Sequence, residues 1–341
     1  NKILIDPQYF PLKLLDGKRI GYTKIAEDTF LKSPFLDSRI YGTDGKIFSI
    51  SYSDVIAVLD IKAVNTPKEL IHLFHISHVG STFISKLLEC IENIKVLREP
   101  KILRDFVTEY SEIKKFASEY TKAELDQLLH IMLKTFSVGD DSKILIKQTS
   151  SNLSLPIGFN RIENINQKEI YLFTNLKNFL SHAISSDGLQ TDSKMFVKNR
   201  LNLLNNLCLS NHLNLSDLGL LEKVSVIWML ELSKILSRSS SKQSLSINFD
   251  ESFCANKREQ SIKKIIEFIF DGELINFDKI MNADAWQINS KNLQRFDFSK
   301  RAEMITKNYQ SSKSEIDKVI MWVENLCKQE PYLMSLLQYI K

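Results

Sequence analysis

Four stretches of this chain set groups able to do chemistry directly behind apolar runs. Ser77-His78-Val79-Gly80-Ser81-Thr82 follows "IHLFHI", Arg98-Glu99-Pro100 follows "IKVL", Lys147-Gln148-Thr149-Ser150 follows "KILI", and Thr174-Asn175 follows "EIYLF", with Lys177 just behind. The first stretch is the most informative. A helix opening at Ser81 leaves its first backbone N–H groups unpaired and presents a positive dipole end, where phosphate binds readily. Gly80 would let the backbone approach the anion, and the Ser81 and Thr82 hydroxyls would donate to its oxygens. Read alone, Gly80-Ser81-Thr82 is more often an ordinary strand-to-helix turn with its cap. It is not the nucleoside triphosphate loop G-x-x-x-x-G-K-[ST], because no glycine stands five residues before Gly80 and no lysine follows it.

A metal reading fails on geometry. His72, His75 and His78 fall three apart, but along a strand His72 and His75 point to opposite faces. His72 and His78 share a face and would lie about 20 Å apart at the rise of an extended chain. They cannot share one ion, and no metal is expected.

The elements that must hold these groups are legible as periodicity. "ELIHLFHI", "IKVL", "KILI", "KEIYLF" and "SLSINF" read as strands. "STFISKLLECIENI", "AELDQLLHIMLKTF", "NLKNFLSHAI", "MFVKNRLNLLNNLCL" and "LGLLEKVSVIWMLELSKIL" read as helices, and after about Cys254 the chain is mostly helical. Strands alternating with helices predict an α/β fold with a mostly parallel sheet covered on both faces. In such a sheet ligands sit beyond the carboxyl ends of the strands, where the four polar junctions fall. Residues 1–66 read as an irregular layer packed on the core, with a short hairpin in "PFLDSRIYGTDGKIFSISY" at its Asp44-Gly45 turn. Residues 67–341 read as the main domain.

Composition narrows the partners. The formal net charge of +4 over 341 residues suits small anionic ligands and lacks the concentrated basic stripe of a nucleic-acid binder. Cys90, Cys208, Cys254 and Cys327 form no C-x-x-C pair, which argues against a zinc site and a disulfide scaffold and for reduced thiols in the cytoplasm. No apolar run reaches the ~18 residues that span a bilayer, and no signal-peptide apolar region opens the chain. The sequence carries no signal for an oligomeric state.

The motifs, in this order, resemble the sulfotransferase family that uses 3′-phosphoadenosine 5′-phosphosulfate. The family's loop reads Lys-Ser-Gly-Thr-Thr-Trp between the first strand and helix. "HVGSTF" lies on it, with Gly80, Ser81 and Thr82 matching, Phe83 at the aromatic position and His78 in place of the loop lysine. "KILIKQTSSNLSLP" is similar to the cytosolic enzymes' strand ending in Lys-Thr-His. Lys147 falls on that lysine and Thr149 on the catalytic histidine. "KEIYLFTNLKNFLSHA" looks like the segment that binds the 3′-phosphate, with Asn175 and Lys177 matching, Thr174 at the arginine position, and His182 at the serine position with Ser181 beside it. "SLSINFDESFCANKREQSIKKIIEFIF" resembles the late strand, acidic turn and helix. "FLDSRI", "HVGST" and "VLREP" together are similar to a bacterial branch of sulfotransferase-like proteins.

The resemblance spans about residues 68 to 285 and implies a P-loop three-layer sandwich with a helical C-terminal part. It implies transfer of a sulfuryl group from 3′-phosphoadenosine 5′-phosphosulfate, without a metal, to a hydroxyl or amine of a small-molecule or carrier-bound acceptor. The product nucleotide is 3′-phosphoadenosine 5′-phosphate. On that reading Lys147 stabilises the transferring group, His78 serves the leaving phosphate, and Glu99 replaces the missing histidine as base. Gly80, Ser81, Thr82 and Phe83 form the loop, while Asn175, Lys177 and Ser181 hold the 3′-phosphate. Lys291 and Arg295, in "SKNLQRFDFSK", supply the charge lost with the arginine. Two other readings stay open. One is a P-loop kinase-like phosphotransferase, against which the missing loop lysine counts. The other is a non-catalytic descendant binding a nucleotide or a protein partner.

Overall fold

The computed structural model describes residues 3–26, 29, 33–40, 45–61, 69–136, 143–155, 166–204, 213–239, 243–254, 256–273, 275–287 and 298–341. Two sheets organise them. Strands β1 (Tyr9–Leu15), β2 (Arg19–Lys24) and β3 (Phe48–Ser51) form an antiparallel sheet in the order β1-β2-β3. The N-terminal layer is therefore regular, and its tight hairpin lies at Asp16-Gly17-Lys18, where Gly17 (φ 70) and Lys18 (φ 51) adopt the left-handed turn that suits strand twist. Around Asp44-Gly45, where the sequence predicts a hairpin, residues 41–44 lie outside the described ones; β3 just beyond pairs back to β2, from Arg19↔Ser51 to Tyr22↔Phe48. Helix α1 (Tyr52–Ile61) follows.

The second sheet has five strands: β4 (Glu69–His75), β5 (Ile94–Arg98), β6 (Lys143–Lys147), β7 (Asn166–Phe173) and β8 (Ser244–Asn248), in the order β5-β6-β4-β7-β8. β5 runs parallel to β6 and β7 parallel to β8. Every residue of β4 is buried, as a strand covered on both faces requires. Helices α2 (Ser81–Leu88), α3 (Lys101–Ile113), α4 (Lys122–Thr135), α5 (Leu176–Ile184), α6 (Asp187–Leu204) and α7 (Leu220–Arg238) alternate with the strands. After β8 come α8 (Phe249–Ser252), α9 (Arg258–Phe270), α10 (Phe277–Met281), α11 (Phe298–Ser311) and α12 (Lys313–Gln329). The architecture is α/β, with a mostly parallel sheet flanked by helices and a helical C-terminal part.

The chain divides into two compact units. The first contains residues 1–72 and 88–168, the second 73–87 and 169–341. In the first unit α3 buries Ile102, Leu103, Phe106 and Val107, a single helical face, and Asp105 on the same helix accepts from the Leu14 amide of β1 at 3.0 Å. The sequence predicts a helix running on from Ser81 to Ile94, yet α2 stops at Leu88. There the Ile91 amide turns back to the Leu88 carbonyl at 3.1 Å, and Glu89 leaves the helical path to meet Arg98 at 2.5 Å. In the second unit α7 is buried along most of its length, and its fully buried Trp228 donates Nε1–H to the Thr174 carbonyl at 2.9 Å.

Candidate functional site

In the first unit the register of two strands assembles a charged pair. β5 and β6 are aligned from Ile94↔Lys143 to Arg98↔Lys147, and the next residue, Glu99, donates its amide to the Lys147 carbonyl at 2.8 Å. Glu99 has a left-handed backbone (φ 51), a conformation that costs a non-glycine residue about 1–2 kcal/mol and turns its side chain back across the ladder. The carboxylate forms an ion pair with the Lys147 ammonium. Lys147 is almost completely buried, and its Nζ sits 5.2 Å from the centre of the Phe35 ring. Thr149, two residues on, is taken up locally, with its hydroxyl 2.9 Å from Asn152 Oδ1.

Phe35 belongs to a segment, Ser33–Ile40, strapped across the ends of these elements. Leu36 N–H donates to the Arg98 carbonyl at 2.7 Å, Lys101 N–H to the Leu36 carbonyl at 2.9 Å, and Arg98 Nε to the Ser33 carbonyl at 2.8 Å. Arg39 lies flat against Phe35, 4.0 Å from its ring centre, and forks Asp37 through Nε at 2.7 Å and through Nη2. Arg104 of α3 reaches the same carboxylate at 3.5 Å. Burial pushes the Asp37 carboxyl up, but the Arg39 hydrogen bonds and the charges of Arg39 and Arg104 outweigh it and hold the group below its ordinary value.

In the second unit the turn after β4 opens with Ile76 N–H bonded to the Leu172 carbonyl at 3.0 Å. The Ser77 amide and hydroxyl then donate to Glu231 at 2.7 and 3.2 Å. Glu231 is fully buried on α7 and pairs with Arg200 of α6, which also meets Asp192 at 3.0 Å. The loop thus starts from a carboxylate anchored in the core. His78 follows with φ 58, its ring packed against Gly188 and 6.3 Å from that of His182. Gly80 is required twice over. Its φ of +87 disfavours any side chain, and an added Cβ would run into the Phe249 ring.

Ser81 and Thr82 open α2, and neither hydroxyl has a protein hydrogen-bond partner among the described residues. Phe83 packs into an aromatic cluster, with ring centres 6.3 Å from Phe249, 6.0 Å from Phe253 and 5.0 Å from Trp286. In the 174–181 segment the Thr174 hydroxyl donates to Asp250 at 2.5 Å, and Arg301 of α11 donates Nε–H to the other oxygen at 3.0 Å. Asn175 caps α5 by accepting from the Asn178 amide at 2.8 Å. Lys177 Nζ lies 3.9 Å over the Tyr309 ring of α11. Ser181 is fully buried, with its hydroxyl bonded to the Lys177 carbonyl at 2.7 Å. Lys291 and Arg295 lie outside the described residues.

The first unit therefore brings Glu99 and Lys147 together. The second places His78, Gly80, Ser81, Thr82 and Phe83 on one turn, and Asn175, Lys177 and Ser181 on one helix end. Sequence reasoning missed Phe35, Arg39, Arg104, Glu231, Arg200 and Arg301. Only Glu231 left a local signal, as a lone carboxylate inside the apolar run "VSVIWMLEL".

No family model and no curated protein matches the chain. Among solved structures, the chain is similar to the sulfotransferase domain from the curacin biosynthetic pathway, at 12% identity over 76% of this chain and 98% of that one, TM-score 0.42. It is also similar to mouse sulfotransferase SULT7A1 complexed with PAP, at 12% identity over 86% of this chain and 97% of that one, TM-score 0.41. A third is sulfotransferase STF9 from Mycobacterium avium, at 11% identity over 76% and 81%, TM-score 0.39. All three solved structures are sulfotransferases.

Proposed function

We propose that the protein is a sulfotransferase, moving a sulfuryl group from 3′-phosphoadenosine 5′-phosphosulfate to a hydroxyl or amine of a small-molecule or carrier-bound acceptor. The observation that carries this reading is the ion pair of a buried Lys147 with a left-handed, partly exposed Glu99 at the paired ends of β5 and β6. Charge of this kind, held out of water by a strap of chain, favours a reaction that moves a proton and spreads negative charge.

The residues present fit the nucleotide unevenly. The start of α2 at Ser81–Thr82 offers a phosphosulfate the positive end of the helix dipole and two hydroxyls that have no hydrogen-bond partner among the described residues. The 174–181 segment offers a 3′-phosphate only cations already engaged, Lys177 over Tyr309 and Arg301 on Asp250. When bound, the nucleotide supplies a sulfuryl group on a good leaving phosphate. Glu99 would take the acceptor's proton, and Lys147 would offset negative charge on the sulfuryl group and on the phosphate that leaves with the electron pair of the broken bond. His78, Ser81 and Thr82 would hold that phosphate, with Phe83 fixing the helix behind them. Asn175 and Lys177 would stand nearest a 3′-phosphate, with the buried Ser181 fixing the turn of α5 behind Lys177, and Lys291 and Arg295, outside the described residues, would add charge. No step calls for a metal.

Calorimetric titration with 3′-phosphoadenosine 5′-phosphate, ADP and ATP–Mg²⁺ in parallel tests the reading. Tighter binding of 3′-phosphoadenosine 5′-phosphate than of ADP is expected. Equal affinities would move the protein to a non-catalytic nucleotide binder, and a Mg²⁺-dependent preference for ATP would make it a phosphotransferase.

A further inference from the structure

Beside the Glu99–Lys147 pair, among the described residues, two guanidinium groups share one carboxylate around Phe35. The Phe35 ring lies between two cations, Lys147 and Arg39. Asp37 is forked by Arg39 and touched by Arg104 only at 3.5 Å, so one carboxylate serves two guanidinium groups. The neighbouring charges are matched: Arg98 with Glu89 at 2.5 Å, Lys101 with Asp105 at 2.6 Å, and Lys147 with Glu99. Among the described residues of this cluster, one positive charge is left over. It belongs to Arg104, whose Nε–H is buried and has no hydrogen-bond partner among the described residues.

Both side chains remain partly open to solvent, 58% exposed for Arg39 and 39% for Arg104. Both are planar forks, the shape that matches a carboxylate, sulfate or phosphate through paired hydrogen bonds. Arg39 is also held protonated, first by its hydrogen bonds to Asp37 and in part by the nearby Glu99 charge. Phe35 backs the Arg39 plane and Asp37 takes its Nε–Nη2 edge, so the outer edge of the guanidinium is already held in place before a ligand arrives.

We propose that Arg39 and Arg104 form a seat for an oxyanion carried by the acceptor, so that the molecule presented to Glu99 is an anionic hydroxyl compound rather than a neutral one. Calling that molecule the acceptor rests on the sulfuryl-transfer reading; the seat itself does not.

The test uses the full chain, without catalysis, at low salt. Glucuronate and glucose form one matched pair of probes, 3-hydroxybenzoate and 3-hydroxybenzyl alcohol a second, and binding is followed by ligand-observed NMR. The anionic member of each pair is expected to bind at least about tenfold tighter, the factor one charge-assisted hydrogen bond supplies. Arg104→Gln leaves the Asp37–Arg39 fork intact and so should fold as the parent does. It is expected to lose most of that preference and to keep its affinity for 3′-phosphoadenosine 5′-phosphate. Arg39→Gln combined with Arg104→Gln should remove the preference entirely. Absence of a preference in the parent, whether both members bind equally or neither binds, overturns the seat. So does an Arg104→Gln variant that keeps the preference, or one that loses the nucleotide in parallel, which would hand these arginines to the nucleotide. If the nucleotide does not bind the parent but the preference for anions holds, the seat stands and the sulfotransferase reading falls.

Discussion

At Lys147 and Glu99, burial and charge pull in opposite directions. An ammonium taken almost wholly out of water costs several kcal/mol unless a carboxylate compensates it, and Glu99 provides that carboxylate by adopting a strained backbone. Glu99→Gln is expected to lower turnover by ~10²–10⁴, as loss of a general base does. It should also destabilise the fold by up to about 3–5 kcal/mol, because a buried cation loses its counter-charge. Adding Lys147→Met removes that uncompensated charge, so the double variant should regain much of the lost melting temperature while staying inactive. Thermal unfolding of the single and double variants decides it: equal melting temperatures would mean that the two charges are not coupled. Gly80 shows a different economy of position. Its conformation and its contact with Phe249 both exclude a side chain, so any substitution there changes packing as well as a possible anion contact.

At the scale of elements, the Ser33–Ile40 strap depends on Asp37. Its carboxyl lies below the ordinary carboxylate value because Arg39 and Arg104 outweigh the effect of burial. A carboxyl depressed in the folded state contributes stability that is fully present above its unfolded value near ~3.9 and is lost as pH falls through the lower folded value. Asp37→Asn lacks this contribution at every pH. The gap in urea midpoint between parent and Asp37→Asn should therefore be constant above about pH 5 and close as pH falls below ~3.9. A gap that stays open in acid would show that Asp37 acts through shape and not charge. Helix α11 works in the same way on the other unit's helix end, placing Tyr309 under Lys177, Asn308 on the Ser181 carbonyl at 2.9 Å and Arg301 on Asp250.

At the scale of the whole molecule, each unit has a buried ionic network of its own. The first ties Glu69 at the start of β4 to Lys143 at 2.6 Å and Lys168 at 2.7 Å. The second ties Ser77 through Glu231 to Arg200 and Asp192. Such networks contribute little net stability when complete and cost a great deal when broken on one side. Glu231→Leu strips Arg200 of its best-buried carboxylate and the Ser77 amide of its acceptor, and should cost about 3–5 kcal/mol in urea unfolding. Glu231→Leu with Arg200→Met should recover most of that loss. If the double variant is as unstable as the single one, the network is not what holds the turn after β4.

The sequence by itself determined which runs become strands and helices, because burial imposes a period of 2 or 3.6 that each segment carries alone. It also determined that Glu99, Lys147, Thr174 and the Gly80 turn stand at strand ends. Helix α3 escaped notice: only four residues of "KILRDFVTEYSEI", Ile102, Leu103, Phe106 and Val107, are buried, too thin a stripe to stand out. In the N-terminal sheet the local β1–β2 hairpin at Asp16-Gly17 was overlooked, whereas β3 escaped because it pairs with β2 across more than twenty intervening residues. Only tertiary structure decided that Glu99 meets Lys147, since this needs the register of β5 on β6. It likewise decided that Asp37 and Arg39 face Arg104, and that Glu231 holds Ser77 from 154 residues away. Periodicity is a local property of the chain, whereas a charge finds its partner wherever burial removes the alternative of water.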